Sequence, residues 1–257
     1  MRPRTVFVTG ASSGIGRALA LEYARGGAKL AIAARREDEL DSLARDVKSA
    51  GGSAICMTLD VCDVGAAKDA VERAERDLGS LDMVIANAGR GDTRHSSRLD
   101  WEHVGAVLDV NVRGALATLT AAIPIMIAQK SGHLVGVSSL AGRRGLPLSA
   151  AYSASKAALS MFLESLRIDL APAGIRVTDV QPGFVETPMS SALEQPKPFL
   201  WPVDRAARHI VRRLESTHAP AVIAFPWPLA ALTSFSRHLP AWIYDRIVRA
   251  AVSSSGA

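Results

Sequence analysis

Tyr152 and Lys156 stand four residues apart in Tyr152-Ser153-Ala154-Ser155-Lys156, and Ser139 lies thirteen residues before the tyrosine. The stretch opens a run in which Leu159, Phe162, Leu163, Leu166 and Leu170 recur at helical spacing, so a helix is predicted there. On that helix the phenol and the ammonium project from one face, a turn apart. A nearby cation favours phenolate and lowers the tyrosine pKa from about 10, each unit being worth about 1.36 kcal/mol. A tyrosine tuned toward neutral pH can give or take a proton at a carbonyl or an alcohol. Nucleophilic attack by Ser139 is disfavoured, because no histidine occupies a plausible triad position. Tyr and Lys share a helix face by chance in many proteins, so the pair gains meaning only from its context.

The elements that must position these groups follow from residue 5 onward. Short apolar runs alternate with helix-period runs, as expected of βαβ units and a parallel sheet. Thr5–Val8 reads as the first strand, Lys29–Ala34 as the second, and a third ends at Leu59-Asp60-Val61. Val84–Ala86, Leu134–Ser138, Ile175–Val180 and Ala221–Phe225 read as four more. Between the first strand and its helix lies Thr9-Gly10-Ala11-Ser12-Ser13-Gly14-Ile15-Gly16. Glycines there let the backbone turn tightly and approach a pyrophosphate, while the helix N-terminus offers free N–H groups. Ser139 falls at the carboxyl end of its strand, where the ligand crevice of a doubly wound sheet lies.

The glycine turn, together with Asn87-Ala88-Gly89, Asn111, Ser139, Tyr152-x-x-x-Lys156 and Pro182-Gly183, resembles the short-chain dehydrogenase/reductase family from about residue 5 to about 190. The G-x-x-x-G-x-G spacing also fits that family better than other dinucleotide folds. The resemblance implies one Rossmann-like α/β domain over 1–257 with a doubly wound, parallel seven-stranded sheet, and 188–257 forming a substrate lid and a variable apolar C-terminal region. It implies an oxidoreductase in which Tyr152, Ser139, Lys156 and Asn111 are catalytic, Asn111 holding a relay water. The cofactor would meet Gly10, Ser12, Ser13, Gly14, Ile15 and Gly16, then Asp60 and Val61 at the adenine and Asn87, Ala88 and Gly89 at the ribose. Tyr152 and Lys156 would also touch it, and Pro182, Gly183, Val185 and Thr187 would cover the nicotinamide. Asp60 capping a turn and Asn111 satisfied by local backbone are the plainer alternatives.

The second strand ends Ala33-Ala34-Arg35-Arg36, with no acid until Glu37. An acid there would bind a ribose 2′-hydroxyl, whereas a guanidinium pairs with a 2′-phosphate. Arg35, with Arg36 assisting, therefore points to NADP(H), unless both are merely exposed helix-start residues. The expected activity is interconversion of a carbonyl and an alcohol on a small-molecule substrate, with a non-catalytic NADP-binding sensor as the alternative. Four prolines with Phe199, Leu200 and Trp201 between 188 and 202 suggest an apolar lid.

Net charge is +5 with scattered basic residues, and hydrophobic content is 48%. That suits a solvated globular surface and offers no nucleic-acid footprint. The two cysteines, Cys56 and Cys62, provide neither a disulfide framework nor a metal cluster, which suits a cytoplasmic location. No signal peptide is expected from Met1-Arg2-Pro3-Arg4, and no stretch of eighteen uninterrupted apolar residues suggests a span. His95, in the polar loop 90–99, is assigned no role. Residues 201–257 carry seven Arg and three Asp/Glu, so +4 of the chain's +5. Trp242, Ile243, Ile247 and Ala251 against Arg246 and Arg249 form a basic amphipathic stretch. It suits a membrane surface, a second subunit or packing over the cleft. The family resemblance implies a homodimer or homotetramer.

Overall fold

The computed structural model describes residues 3–91, 93–193 and 196–254, and side chains as far as residue 250. Met1, Arg2, Asp92, Glu194 and Gln195 (the last two within the expected lid), the side chain of Ala251 and the final residues lie outside it.

Seven strands form one parallel sheet: β1 (Thr5–Thr9), β2 (Lys29–Ala34), β3 (Ser53–Thr58), β4 (Met83–Ala86), β5 (Gly132–Val137), β6 (Ile175–Pro182) and β7 (Val222–Phe225). Their order is β3-β2-β1-β4-β5-β6-β7, so the chain winds one way from β1 and the other way from β4. A crevice opens beyond the strand C-termini at that reversal. Phe7 aligns with Ala31 on one side and Val84 on the other, and all three are buried. Such strands, covered on both faces, read as continuous apolar runs rather than alternating ones.

Two apolar layers sandwich the sheet. On one face pack α1 (Gly14–Arg25), α2 (Glu37–Ser49) and α8 (Val203–Leu214), through Leu19, Leu40, Leu43 and Ile210. On the other lie α3 (Val64–Leu78), α4 (Trp101–Leu108), α5 (Ala115–Gln129) and α6 (Ala150–Leu170), the core there including Val71, Leu119, Leu159 and Leu163. A short α7 (Pro188–Ser191) begins the expected lid, and α9 (Trp227–Ser236) and α10 (Ala241–Ser254) end the chain. Asp100 caps α4 as its position suggested, its Oδ1 accepting from the His103 N–H at 2.7 Å. Between α4 and α5 the helix widens into one π-helical turn, Asp109–Gly114, carrying Asn111. Such turns mark an inserted residue and often a functional position.

Candidate active site

Two residues bring the glycine turn to the crevice. Gly10 and Gly14 have φ of +66° and +55°, the left-handed region that glycine enters freely. A Cβ on Gly10 would stand 2.7 Å from the Ala88 Cα, and one on Gly16 would strike the Asn87 amide and the Gly10 carbonyl. The turn after β1 and the turn after β4 thus touch, and side chains lock them. Asn87 Nδ2 donates to the carbonyls of Thr9 at 3.0 Å and Gly10 at 3.2 Å, while Thr9 Oγ1 accepts from the Asn87 and Ala88 N–H groups. Thr9 completes this joint, a role that its ordinary strand-end position did not reveal.

The α1 N-terminus is prepared for an anion. Ser13 occupies its cap position without a side-chain cap bond, and its first turn holds no acid. The N–H groups there and the positive dipole end suit a pyrophosphate, which a bulkier turn would hold off. Arg36 reaches across this turn, Nη2 donating to Ser12 Oγ at 2.9 Å and Ser13 Oγ at 3.0 Å. Arg35 points instead toward Asp60, Nη1 to Oδ2 being 3.9 Å, with its side chain 72% exposed. Asp60 Oδ1 accepts from the Cys62 N–H at 3.0 Å, so it does cap the turn after β3, and that bond holds its pKa low. Val61 is buried and packs on Gly114 of the π-turn.

Across the crevice, β5 delivers Ser139 and α6 delivers Tyr152 and Lys156. Ser139 Oγ donates to the Pro182 carbonyl at 3.3 Å and accepts from the Ala141 N–H at 3.1 Å. The Tyr152 phenol hydrogen-bonds Ser139, which lowers its pKa, but burial outweighs that and pushes the pKa up. A lowering by Lys156 is the expectation this geometry corrects. The ammonium lies 5.7 Å from the phenol ring centre and donates to the Val137 carbonyl at 2.9 Å. Burial brings Lys156 itself down to about 8, with Asp179 acting in the opposite sense.

Asn111, fully buried, is satisfied by protein groups. Its Oδ1 accepts from the Arg90 N–H at 2.7 Å, and its Nδ2 donates to the Arg90 carbonyl at 2.9 Å and to Ser155 Oγ at 3.0 Å. Ser155 in turn donates to the Tyr152 carbonyl at 2.7 Å. The π-turn is thereby tied to α6 beside Gly89, where an added Cβ would stand 3.5 Å from Lys156 Nζ.

The segment after β6 forms the remaining wall. Val185 is buried and bridges Trp201, and Thr187 caps α7 by exchanging bonds with Ser190. A Cβ on Gly14 would meet the Thr187 methyl at 3.1 Å, so this wall closes onto the glycine turn. Pro182 lies at the end of β6, and Gly183 receives Leu229 of α9 so closely that a Cβ there would be 2.8 Å away. His95 caps a short 3-10 turn, its Nδ1 accepting from the Ser97 N–H. Among the described residues no cluster of His, Cys, Asp and Glu could hold a metal.

The short chain dehydrogenase family matches residues 4–198, a span that holds the glycine turn, Ser139, Tyr152 and Lys156. The chain belongs to the short-chain dehydrogenase/reductase family. An uncharacterized oxidoreductase of Myxococcus xanthus is 45% identical over 249 residues, covering 97% of this chain and 98% of that one. A short-chain dehydrogenase from Streptomyces avermitilis superposes with a TM-score of 0.83 at 26% identity, covering 99% of both chains. A 3-ketoacyl-(acyl-carrier-protein) reductase from Brucella melitensis, complexed with NADH, gives 0.79 at 27% identity over 86% of this chain and 96% of its own. As a short-chain dehydrogenase/reductase the protein is an oxidoreductase of carbonyl and alcohol groups, and its sheet order is the one expected of the family.

Proposed function

We propose that the protein is an NADP(H)-dependent oxidoreductase interconverting a ketone or aldehyde and an alcohol on an apolar substrate. The observation that carries the reading is the convergence of Ser139, Tyr152 and Lys156 on the crevice beside an uncapped, acid-free α1 N-terminus. When bound, the nicotinamide supplies or accepts the hydride. Tyr152, kept protonated by burial, donates its proton to the substrate oxygen in reduction. Ser139 orients that oxygen, Lys156 holds the ribose, and Asn111 fixes the π-turn at which a relay water would sit. Asp60 and Val61 serve the adenine, and Pro182, Gly183, Val185 and Thr187 serve the nicotinamide. Preference for the 2′-phosphate rests on Arg35 and Arg36 and on the absence of an acid at the end of β2. Tyr152→Phe tests the assignment: it keeps the ring and removes the proton, so turnover should collapse while cofactor affinity changes little. More than a few per cent residual turnover removes Tyr152 from the mechanism.

A second reading, a membrane-peripheral enzyme acting on lipid or fatty-acyl carbonyls, is favoured by one surface. Trp227, Leu232, Phe235, Trp242 and Ile247 on α9 and α10 are more than half exposed. Arg237, Arg246 and Arg249 interleave with them in sequence. Exposed aromatics among arginines suit an anionic bilayer surface. Flotation of the full chain with phosphatidylserine vesicles should be lost in Trp227→Ser/Trp242→Ser. A cytoplasmic dimer or tetramer burying that face would instead leave the vesicles empty and show its mass by light scattering.

A further inference from the structure

Asp179 lies on β6, one strand in from the sheet edge and paired on both sides, 5% exposed, between Thr178 and Val180, which are also buried. A carboxylate at such a site demands partners, because burying an uncompensated charge is strongly unfavourable. It has two hydrogen-bond donors. Ser138 Oγ, the hydroxyl next to the catalytic serine, donates to Oδ1, and Gln181 Nε2 donates to Oδ2 at 2.6 Å. Gln181 passes the connection outward, its Oε1 accepting from Arg143 Nε at 2.7 Å. Arg143 Nη1 then donates to the Ala230 carbonyl at 2.7 Å and to Ser234 Oγ at 2.6 Å, holding α9 over Gly183. One chain of bonds thus runs from beneath the catalytic serine to the helix that covers the nicotinamide wall.

We propose that Asp179 is a positioning residue for catalysis: it anchors the Ser138 strand end and, through Gln181 and Arg143, α9, and it is the internal counter-charge of Lys156. The charged and titratable groups facing this region are few. Tyr152 shares α6 with Lys156, Asp179 faces it from β6, and Arg143 faces Asp179 from the loop after β5, with Arg237 beyond it. Lys156 Nζ donates to the Val137 carbonyl and the hydroxyl of the next residue, Ser138, donates to Asp179 Oδ1, so the carboxylate is set close behind the ammonium and favours it against desolvation. The sign follows. Asp179→Asn takes away the negative charge, so Lys156 surrenders its proton at lower pH than in the wild type. A reaction needing that proton is lost as pH rises through the lysine pKa, so the alkaline limb moves toward acid.

The inference rests on the oxidoreductase reading for its kinetic arm and is independent of which nicotinamide cofactor is used. The experiment records kcat and KM against pH for wild type, Asp179→Asn and Arg143→Met, with whichever cofactor supports turnover. Asp179→Asn should shift the alkaline limb of kcat downward by roughly 1 pH unit, the low end for removing an opposite charge nearby. Arg143→Met should leave that limb in place and raise KM through a looser α9. The second arm needs no turnover: melting temperature against pH for the protein without cofactor. Lys156 has a folded pKa near 8, below its unfolded value of 10.5, so stability rises with pH across that window. In Asp179→Asn the rise should begin about one unit earlier, narrowing the melting-temperature gap to wild type between pH 6.5 and 8.5. Asp179→Ser, which keeps a small hydroxyl, repeats the test if asparagine is not accommodated. Coincident limbs and parallel melting curves overturn the proposal, as does failure of both variants to fold, which makes Asp179 purely structural. Absence of turnover in wild type with the melting shift intact would refute the functional reading and with it the catalytic role of Asp179, leaving only its pairing with Lys156.

Discussion

Replacing Arg35 and Arg36 by alanine, singly and together, separates two ways in which a guanidinium can serve a dinucleotide. Arg35 has one ionic neighbour, Asp60 at 3.9 Å, and the two side chains are 72% and 48% exposed. An exposed pair at that distance contributes at most about 1 kcal/mol, so a phosphate can readily claim the guanidinium. A charge-assisted hydrogen bond is typically worth about 1.5–3 kcal/mol, which predicts roughly a 10- to 150-fold loss of NADPH affinity in Arg35→Ala. NADH has no 2′-phosphate, so its affinity should barely move. Arg36 is different: it already bonds the hydroxyls of Ser12 and Ser13. Arg36→Ala loosens the turn that meets the pyrophosphate, and so should weaken both cofactors. Ala34→Asp with Arg35→Ala should invert the preference, because the new carboxylate repels phosphate and accepts from hydroxyls. The assay is the dissociation constant of each reduced cofactor by fluorescence, with the ratio of catalytic efficiencies alongside. A wild type that prefers NADH, or a ratio that Arg35→Ala leaves unmoved, refutes the assignment without touching the fold.

If Phe199, Leu200 and Trp201 line an apolar cleft, catalytic efficiency should climb along a homologous ketone series by at most about 0.8 kcal/mol per added CH₂; a flat series, or a preference for charged substrates, contradicts it. His133 on β5 is fully buried with Nε2 on Thr178 Oγ1, and burial brings its pKa down to about 3 from 6.5. Because the unfolded chain takes up that proton first, stability should fall as pH drops below 6.5, by about 2 kcal/mol at pH 5. Urea midpoints at pH 7.5 and 5 check it, and an unchanged pH response in His133→Leu would assign the acid sensitivity to other groups. Gly16→Ala drives a methyl into the Asn87 amide and the Gly10 carbonyl, so affinity for both cofactors should fall at least tenfold, with titration by either as the measure.

Much of this architecture was legible because local chemistry and global need coincide. The alternation of apolar runs gave the parallel sheet, and the strand and helix limits agree with it to within a few residues. The glycine turn was legible because only glycine fits where Gly10 and Gly16 meet the Asn87 turn. Asn111 among valines called for a reason, but the π-turn that carries it was not legible from those neighbours. The Asp179–Gln181–Arg143 chain was not legible. Its members lie on a strand and a distant loop, and the bond between Arg143 and Gln181 spans 38 positions. An acid between Thr178 and Val180 was the available signal, since a charge in a central strand needs a partner. Nothing local named that partner. Arg143 and Arg144 carried no local signal of a role, yet Arg144 bonds the Ser236 and Leu239 carbonyls and stacks on Tyr244 of α10. The two arginines between Ser139 and Tyr152 thus fasten α9 and the segment that follows it to the loop after β5.

That fastening bears on how proton transfer is set. Burial works against charge at both catalytic groups, raising the Tyr152 phenol and lowering the Lys156 ammonium to about 8. At neutral pH the tyrosine therefore holds its proton and most of the lysine keeps its charge, which is the form that the proposed reduction would consume. Oxidation requires the opposite, a phenolate that accepts from an alcohol. The same environment makes that form scarce until the pH rises or the bound cofactor adds positive charge. Hydride exchange itself moves a proton, so the equilibrium shifts about tenfold per pH unit whatever the protein does. The protein's contribution is to the rates, through the fraction of molecules in each protonation state. In the proposed reaction, a change in how Leu229 of α9 packs against Gly183 would alter burial there, and so would act on the proton as well as on the substrate.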